Sequence, residues 1–203
     1  VADLTDFIKS HNMENMYNPK VLEYCKGEDG KIYALPQSCY SQGLYINKKL
    51  FTEAGLVNED GTPKVPDTYE ELAEYAKIIK EKTGKAGYVI PTINNCGGWH
   101  FLNIGWAFGV EFEKQREDGT WEATFDTPEM REAMQYLKDL KWKYDAVPAD
   151  TVLDQAGMMK QFGTGNAAMM FANPPANDLS VNYGMNTDDI YAAPMPKGKA
   201  GRF

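Results

Sequence analysis

The sequence predicts an α/β fold, and three observations support that class. Segments with strand character alternate with segments of helical periodicity along most of the 203 residues. Hydrophobic residues make up 43% of the chain and charged residues 25%, as in folded globular proteins. A chain of this length buries a core without disulfides or metals. We therefore expect one large domain, or one domain and part of another.

The first quarter of the chain is predicted to contain two strands separated by a polar loop. Residues 1–30 show only a weak helical pattern. Residues 30–36 are predicted to form a strand that ends at a proline, and residues 43–47 a second strand. The loop between them exposes Tyr40 and Gln42, an aromatic and an amide side chain.

Two helices and a strand are predicted next. Residues 48–54 have the length of a short helix. A longer helix begins at Asp67 or Thr68, whose side chains can accept hydrogen bonds from the free backbone N–H groups of the first turn. It is expected to end near Gly84, and a strand at residues 86–90 follows.

An irregular, aromatic stretch occupies the middle of the chain. Residues 91–98 are rich in Asn and Gly and are predicted to form a loop. Trp106 and Phe108 have apolar neighbours and are predicted to lie in the core. A turn at residues 117–120 joins the strands of a hairpin, and Trp121 on that hairpin is predicted to serve core or surface packing.

The last part of the chain continues the alternation of helices and strands. Residues 128–144 carry apolar side chains at the spacing of an amphipathic helix. A helix at residues 155–162 and buried strands at residues 167–171 and 190–193 follow.

The charge excludes several classes of partner. The formal net charge of −8, without clusters of lysine or arginine, argues against nucleic acid and against an anionic membrane surface. No apolar stretch approaches the roughly 18 residues of a membrane span.

The cysteines and histidines predict no metal site and no cofactor. Cys25, Cys39 and Cys96 are far apart and match no zinc spacing. We expect buried thiols, with one disulfide left open. The chain has only two histidines, His11 and His100.

Four groups of residues occur in an order that matches a known family. Residues 32–36 and 44–55 form a strand, a polar loop and a return strand before a short helix. Residues 66–72 are Pro-Asp-Thr-Tyr-Glu-Glu-Leu, residues 163–169 are Gly-Thr-Gly-Asn-Ala-Ala-Met, and residues 191–198 are Tyr-Ala-Ala-Pro-Met-Pro-Lys-Gly. In this order the chain resembles family 1 extracellular solute-binding proteins, which include maltose-binding proteins.

The resemblance implies a particular architecture. It predicts a lobe of a type II periplasmic-binding-protein fold, with a mixed sheet flanked by helices. Residues 1–43 would belong to the first lobe and the hinge crossing, residues 44–191 to the ligand-facing second lobe, and residues 192–203 to the start of the return crossing. Most of the first lobe would then lie outside this sequence, and we expect the chain to be a piece of a longer protein.

The resemblance also implies a function. It predicts non-catalytic capture of a carbohydrate, most simply an oligosaccharide, in the cleft between lobes. The partners would be the permease subunits of an ABC transporter. The location would be the periplasm or the extracellular face of the membrane, with a lipid anchor on an N-terminus beyond this sequence as the only membrane contact.

The candidate ligand-binding residues combine aromatic rings with amides. Sugar faces pack on aromatic rings, and sugar hydroxyls need both donors and acceptors. The resemblance would place three such stretches at the cleft. The candidates are Tyr40, Gln42, Asn94, Asn95, Trp99, His100, Asn173 and Asn177. Asn94 and Asn95 have turn capping as an alternative role, and His100 a structural role in the core.

Two other functions remain open at this point. A glycoside hydrolase needs a pair of carboxylates beside aromatic platforms, and no such pair stands out on a candidate cleft loop. No metalloprotease, hydrolase, P-loop or dinucleotide-binding motif occurs either. A receptor for a non-sugar solute, or a protein-interaction module that uses residues 128–144, is the second alternative.

Overall fold

The chain forms two compact units. The computed structural model describes residues 1–38 and 40–201. The first unit is Val1–Ser41, and the second begins at Gln42.

The first unit is small and mostly helical. Its helices are α1 (Thr5–Ser10), α2 (Pro19–Glu23) and a 3₁₀ turn at Glu14–Met16. Asn18 caps α2 by accepting a hydrogen bond from the backbone of Lys20. The core of this unit is built on Ile8, Leu22 and Ile32.

The strand predicted at residues 30–36 is wrong. Only an isolated bridge between Lys26 and Ile32 is present there. Neighbouring residues take their backbone partners from different segments: the Leu4 N–H donates to Ile32 at 2.8 Å, and the Tyr33 N–H donates to Cys25 at 2.9 Å. A continuous ladder therefore does not form.

The second unit contains the remaining helices and strands. The strands are β1 (Gly43–Asn47), β2 (Glu113–Gln115), β3 (Trp121–Ala123), β4 (Met169–Ala172) and β5 (Ile190–Ala193). The helices are α3 (Lys48–Ala54), α4 (Tyr69–Thr83), α5 (Asn94–Phe108), α6 (Pro128–Trp142), α7 (Gln155–Gly163) and α8 (Ala176–Tyr183). A 3₁₀ turn, Thr187–Asp189, precedes β5.

Strands β1 and β4 of the central sheet are buried on both faces, whereas the edge strand β5 is partly exposed. It has the order β4-β1-β5 with antiparallel pairing. Leu44 and Ile46 point into a core formed with α3, α4, α5 and α6, and Tyr45 points into a second core with α7 and α8. Side chains alternate between faces along a strand, so a strand covered on both sides is continuously apolar.

The strand predicted at residues 86–90 is only partly formed. Ala86 and Val89 bridge in parallel to Ala167 and Met170, which makes the pairing of the sheet mixed. The N–H groups of Gly87 and Tyr88 both donate to the carbonyl oxygen of Ala146, at 2.7 and 3.0 Å. That diversion interrupts the ladder.

Most predicted helices of the second unit are confirmed. Thr68 caps α4 by accepting from the backbone N–H of Glu71 at 3.2 Å, and Gly84 ends the helix in the left-handed conformation. Helix α6 ends two residues earlier than predicted, and α7 extends one residue further. The predicted hairpin is present as β2 and β3, but the first strand, predicted at residues 110–113, lies at Glu113–Gln115, and the second, predicted at residues 121–125, ends at Ala123. The α/β class is confirmed.

The loop predicted at residues 91–98 is wrong, because α5 begins at Asn94. Gly97 permits this start, since a Cβ there would lie 2.8 Å from the carbonyl carbon of Thr92. Of the two glycines that indicated a loop, Gly97 thus allows a close backbone approach, whereas Gly98 has open space around it. Helix α8 likewise replaces a stretch for which no helix was predicted.

Two remaining expectations concern the membrane and the cysteines. Among the described residues, no helix is long and apolar enough to cross a bilayer. Cys25 and Cys96 are free thiols, while Cys39 lies outside the described residues.

Candidate ligand-binding site

Gln42 and Asn173 meet at one end of the sheet. Gly43 pairs with Ala172, so Gln42, just before β1, lies opposite Asn173, just after β4. In an antiparallel pair, opposite residues point to the same face. This face is also the one that α5 covers, because Leu44, Phe171 and Ile104 share a core.

Each of these two amides has a buried atom without a partner. Gln42 Nε2, a donor, and Asn173 Oδ1, an acceptor, make no hydrogen bond to any described residue. The other end of the Gln42 amide is fixed, because its Oε1 accepts a hydrogen bond from Asn103 Nδ2 on α5. Unpaired buried polar atoms cost about 1–3 kcal/mol each, so such atoms need a compensating role.

Helix α5 places an aromatic and two amide side chains on one face. Asn95, Trp99 and Asn103 follow at intervals of four residues, so they stack along the helix. Trp99 keeps 41% of its surface exposed. The indole is therefore available to a ligand one turn from the amide cluster.

His100 is neutral and buried beside this face. It is 1% exposed, and its Nδ1 has no partner among the described residues. Burial lowers the pKa of the imidazole to about 4, because desolvation penalises the charged form. At neutral pH the ring therefore offers hydrogen bonding without charge.

The remaining candidates are less tightly connected. Asn94 has a positive φ of 58°, a conformation that asparagine tolerates well, which gives it a backbone role. Asn95 and Asn177 are exposed in the first turns of α5 and α8. Tyr40 belongs to the first unit and is exposed.

The structure also reveals residues that sequence reasoning missed. Asn103 was not a candidate, and its spacing of four from Trp99 is informative only once residues 94–108 are known to be helical. Trp106, predicted in the core, is 41% exposed, which makes that prediction wrong, whereas Phe108 is buried as predicted.

The cluster consists of neutral side chains. Gln42, Asn103 and Asn173 supply donors and acceptors, and Trp99 on α5 supplies an aromatic face. In the described part of the chain, no three His, Cys, Asp or Glu side chains are grouped to hold a metal ion. Amide donors and acceptors beside an aromatic ring are the groups that can bind a neutral polyhydroxylated molecule.

Comparison with known proteins identifies the class of this chain and confirms the predicted type II lobe. The profile of the bacterial extracellular solute-binding protein family matches residues 1–203. The chain belongs to this family.

The sequence of this chain is about one quarter identical to those of individual relatives. A Brucella abortus protein described as a binding protein is 27% identical over 172 residues, which is 84% of this chain and 38% of the relative. A maltose-bound protein of T. maritima is 26% identical with a TM-score of 0.83, covering all of this chain and 49% of the other. The GacH receptor of Streptomyces glaucescens, solved unliganded and with acarbose, is 27% identical with a TM-score of 0.73, covering 92% and 45%. The chain thus spans less than half the length of these relatives.

Proposed function

We propose that this chain forms the second lobe of a carbohydrate receptor that captures its ligand without changing it. The observation that carries the proposal is the pair of unpartnered amide atoms, Gln42 Nε2 and Asn173 Oδ1. A hydroxyl both donates and accepts, so one sugar hydroxyl can satisfy both atoms. Trp99, one turn from Asn103, would stack on the apolar face of the same sugar.

The relatives support a sugar as ligand. The T. maritima protein was solved with maltose and the S. glaucescens receptor with acarbose. In our proposal Asn94, Asn95 and Asn177 are further ligand contacts on the second unit, and Tyr40 is a candidate contact on the first unit. The buried His100 supports α5 from within the core. We further propose that residues 1–43 form the first-lobe remnant and the hinge crossing, residues 44–191 the second lobe, and residues 192–203 the start of the return crossing.

A thermal-shift experiment tests the proposal. The chain is melted with a panel of mono- and oligosaccharides that includes maltose and acarbose. A sugar at 100 times its Kd stabilises by about 2.7 kcal/mol, which corresponds to roughly 5–10 °C for a domain of this size. Trp99→Ala should abolish the shift, while Trp142→Ala, at an indole 77% exposed on α6, should retain it. Absence of any shift in the unmodified chain contradicts the proposal.

A glycoside hydrolase is disfavoured by the same residues. Hydrolysis needs a carboxylic acid at the glycosidic oxygen, and the cluster contains amides instead. Incubation of the sugar that binds, followed by chromatography, should return it intact. Release of shorter sugars would reverse this assignment.

The partner we propose is the permease of an ATP-driven importer, at the periplasmic or extracellular face of the membrane. An open apolar groove of about 280 Å³ on the second unit favours a protein contact. It lies between α6 and residues 147–153, and Met134 and Trp142 on its rim are exposed. Changing both to Ala should reduce stimulation of a reconstituted importer's ATP hydrolysis while the sugar-induced thermal shift is kept.

A further inference from the structure

A second groove lies beside the C-terminal half of α5, where the chain leads into the hairpin of β2 and β3. Its volume is about 650 Å³, within the range of small-molecule sites. Three kinds of side chain line it: the apolar Leu102, Val110 and Phe112, the indoles of Trp106 and Trp121, and the carboxylates of Glu111 and Glu113.

The groove lies on a different flank of α5 from the proposed sugar cluster. Phe112 packs edge-to-face on Phe101, with ring centroids 6.2 Å apart, and occupies the space that a side chain at Gly105 would take. Asn103, which bonds Gln42, is two residues from both of these α5 positions, so it lies about 160° away from them around the helix. A ligand in the groove is therefore separate from a sugar at Gln42.

The backbone that carries the two glutamates is fixed on both sides. The Val110 N–H donates to the Gly105 carbonyl oxygen at 2.9 Å. The Thr124 N–H donates to the Phe112 carbonyl oxygen at 3.0 Å, and the Thr124 hydroxyl donates to that of Glu111 at 2.7 Å. The carboxylates thus extend from a segment that is held in place without a ligand.

The hairpin separates its charges between two faces. In the register of β2 and β3, Glu113 and Trp121 share one face, whereas Lys114 and Glu122 share the other. Glu111 and Glu113 are exposed, and neither carboxylate has an ion-pair partner among the described residues. The groove therefore has a negative rim, while the neighbouring lysine is on the other face of the hairpin.

The two indoles give the groove a surface that attracts cations. Trp106 and Trp121 are 41% and 59% exposed, although large aromatic side chains are buried on average. The Phe112 ring supports Trp106 edge-to-face, with centroids 6.2 Å apart and an interplanar angle of 85°. The face of an aromatic ring attracts a positive charge, and tryptophan does so most strongly.

The apolar part of the lining favours a cation without N–H groups. The side chains of Leu102, Val110 and Phe112 offer no hydrogen-bond acceptor, so a primary ammonium would lose water there without replacement. A quaternary ammonium carries its charge under a surface of C–H groups and has no N–H donor to satisfy.

We propose that this groove binds a small organic cation of the quaternary ammonium class. The head group lies against the indoles of Trp106 and Trp121, and its charge faces Glu111 and Glu113. This site is separate from the proposed carbohydrate site and does not depend on that function.

A pair of matched ligands tests the site. Choline is the probe, and 3,3-dimethylbutan-1-ol, which has the same shape without the charge, is the control. We expect choline to shift the indole N–H signals of Trp106 and Trp121 in NMR spectra, assigned by Trp→Phe variants, with a Kd of about 1 mM. The signals of Trp99 and Trp142 should not move. The neutral alcohol should bind about tenfold more weakly, because it lacks the attraction to the rings and the carboxylates.

Isosteric variants identify the groups that hold the cation. Trp106→Leu and Trp121→Leu keep an apolar side chain without an indole face, and each should weaken choline about two- to fivefold. The double variant Glu111→Gln, Glu113→Gln should weaken choline about fivefold at low ionic strength. Glu117→Gln, at an exposed carboxylate in the hairpin turn outside the groove, is the control and should leave the Kd unchanged. The glutamates are exposed, so the double variant tests the site even where a tryptophan variant is unstable.

Two kinds of result overturn the proposal. One is the absence of any shift at Trp106 and Trp121 up to about 20 mM choline, or an equal affinity for choline and the neutral alcohol. The other is a choline Kd that neither the leucine variants nor the glutamine variant changes, because the cation then binds elsewhere. Sugar-induced thermal shifts of the same variants should equal that of the unmodified chain, so failure of the cation site leaves the carbohydrate function standing.

Discussion

At the scale of single residues, the proposed site contains buried polar atoms for which the described residues offer no partner. Gln42 Nε2 and Asn173 Oδ1 are buried without partners, and Asn103 fixes the Gln42 amide from the other side. We expect this arrangement to lower the stability of the free protein, and in the proposed function it provides a donor and an acceptor for a ligand. Removal of one of these unpartnered atoms should therefore raise the stability of the free protein and lower its affinity for the sugar.

Asn173→Ala tests this opposition. The change removes an unsatisfied acceptor, so we expect the free energy of unfolding to stay the same or rise by up to about 1 kcal/mol. Sugar affinity should fall about tenfold, because a hydroxyl loses its acceptor. Denaturant unfolding and calorimetric titration measure the two quantities. Asn166→Ala, which removes an exposed amide bonded to Lys85, is the control and should leave affinity unchanged. A destabilised Asn173→Ala variant with full affinity would identify a structural role.

His100 predicts a dependence of stability on pH. Its folded pKa of about 4 lies below the ordinary value of 6.5, so the folded state binds fewer protons than the unfolded state between these values. Above pH 6.5 neutral His100 does not reduce the free energy of unfolding. As the pH falls from 6.5 towards 4, the unfolded state takes up the proton more readily, and the free energy of unfolding decreases by about 3 kcal/mol in total. His100→Gln should flatten the stability curve in this window, measured by urea unfolding. His11→Gln, at an exposed histidine, is the control, and identical curves for all three proteins would contradict the assignment.

At the scale of elements, close backbone approaches position the helices. The segment at residues 86–90 crosses α4 at Ala76, and a Cβ at Gly87 would lie 2.2 Å from the Ala76 Cα. In α5, by contrast, a Cβ at Gly98 has no described heavy atom within 4 Å. Gly87 is therefore required by a close contact with α4, whereas Gly98 is not required by any contact with the described residues.

Alanine at the two positions should have opposite effects on stability. Gly87→Ala must separate two backbones, so we expect a loss of about 3 kcal/mol or more. Gly98→Ala adds helix propensity without a clash and should stabilise by roughly 0.5–1 kcal/mol. Thermal and denaturant unfolding report both. A neutral Gly87→Ala would mean that the 86–90 segment packs less closely against α4 than described.

At the scale of the whole molecule, the two units differ in the core that each can bury. The second unit has apolar clusters on both faces of its sheet, whereas the first is built on Ile8, Leu22 and Ile32. A small apolar core rarely supports independent folding.

Residues 42–203 should therefore fold without residues 1–41. We expect a single cooperative thermal transition by circular dichroism for residues 42–203 and none for residues 1–41 alone, with the full chain as the reference. A gradual, non-cooperative melt of residues 42–203 would show that the first unit is needed to complete the core.

Features that depend only on neighbouring residues were predicted accurately from the sequence. The strand at residues 43–47 and the helix at residues 48–54 match β1 and α3 to the residue. Thr68 and Gly84 bound α4 as expected. Caps, glycine stops and apolar periodicity act over a few residues, which is why they can be read without a structure.

The sequence alone thus determined the α/β class, the family and the chemical character of the candidate residues. The tertiary structure decided which of them meet: the register of Gly43 with Ala172 brings Gln42 to Asn173, and α5 adds Asn103 to them. It also decided that residues 94–108 are helical and that Trp106 faces outward. Register, burial and close backbone approach depend on contacts between residues far apart in the chain, and no local pattern specifies them.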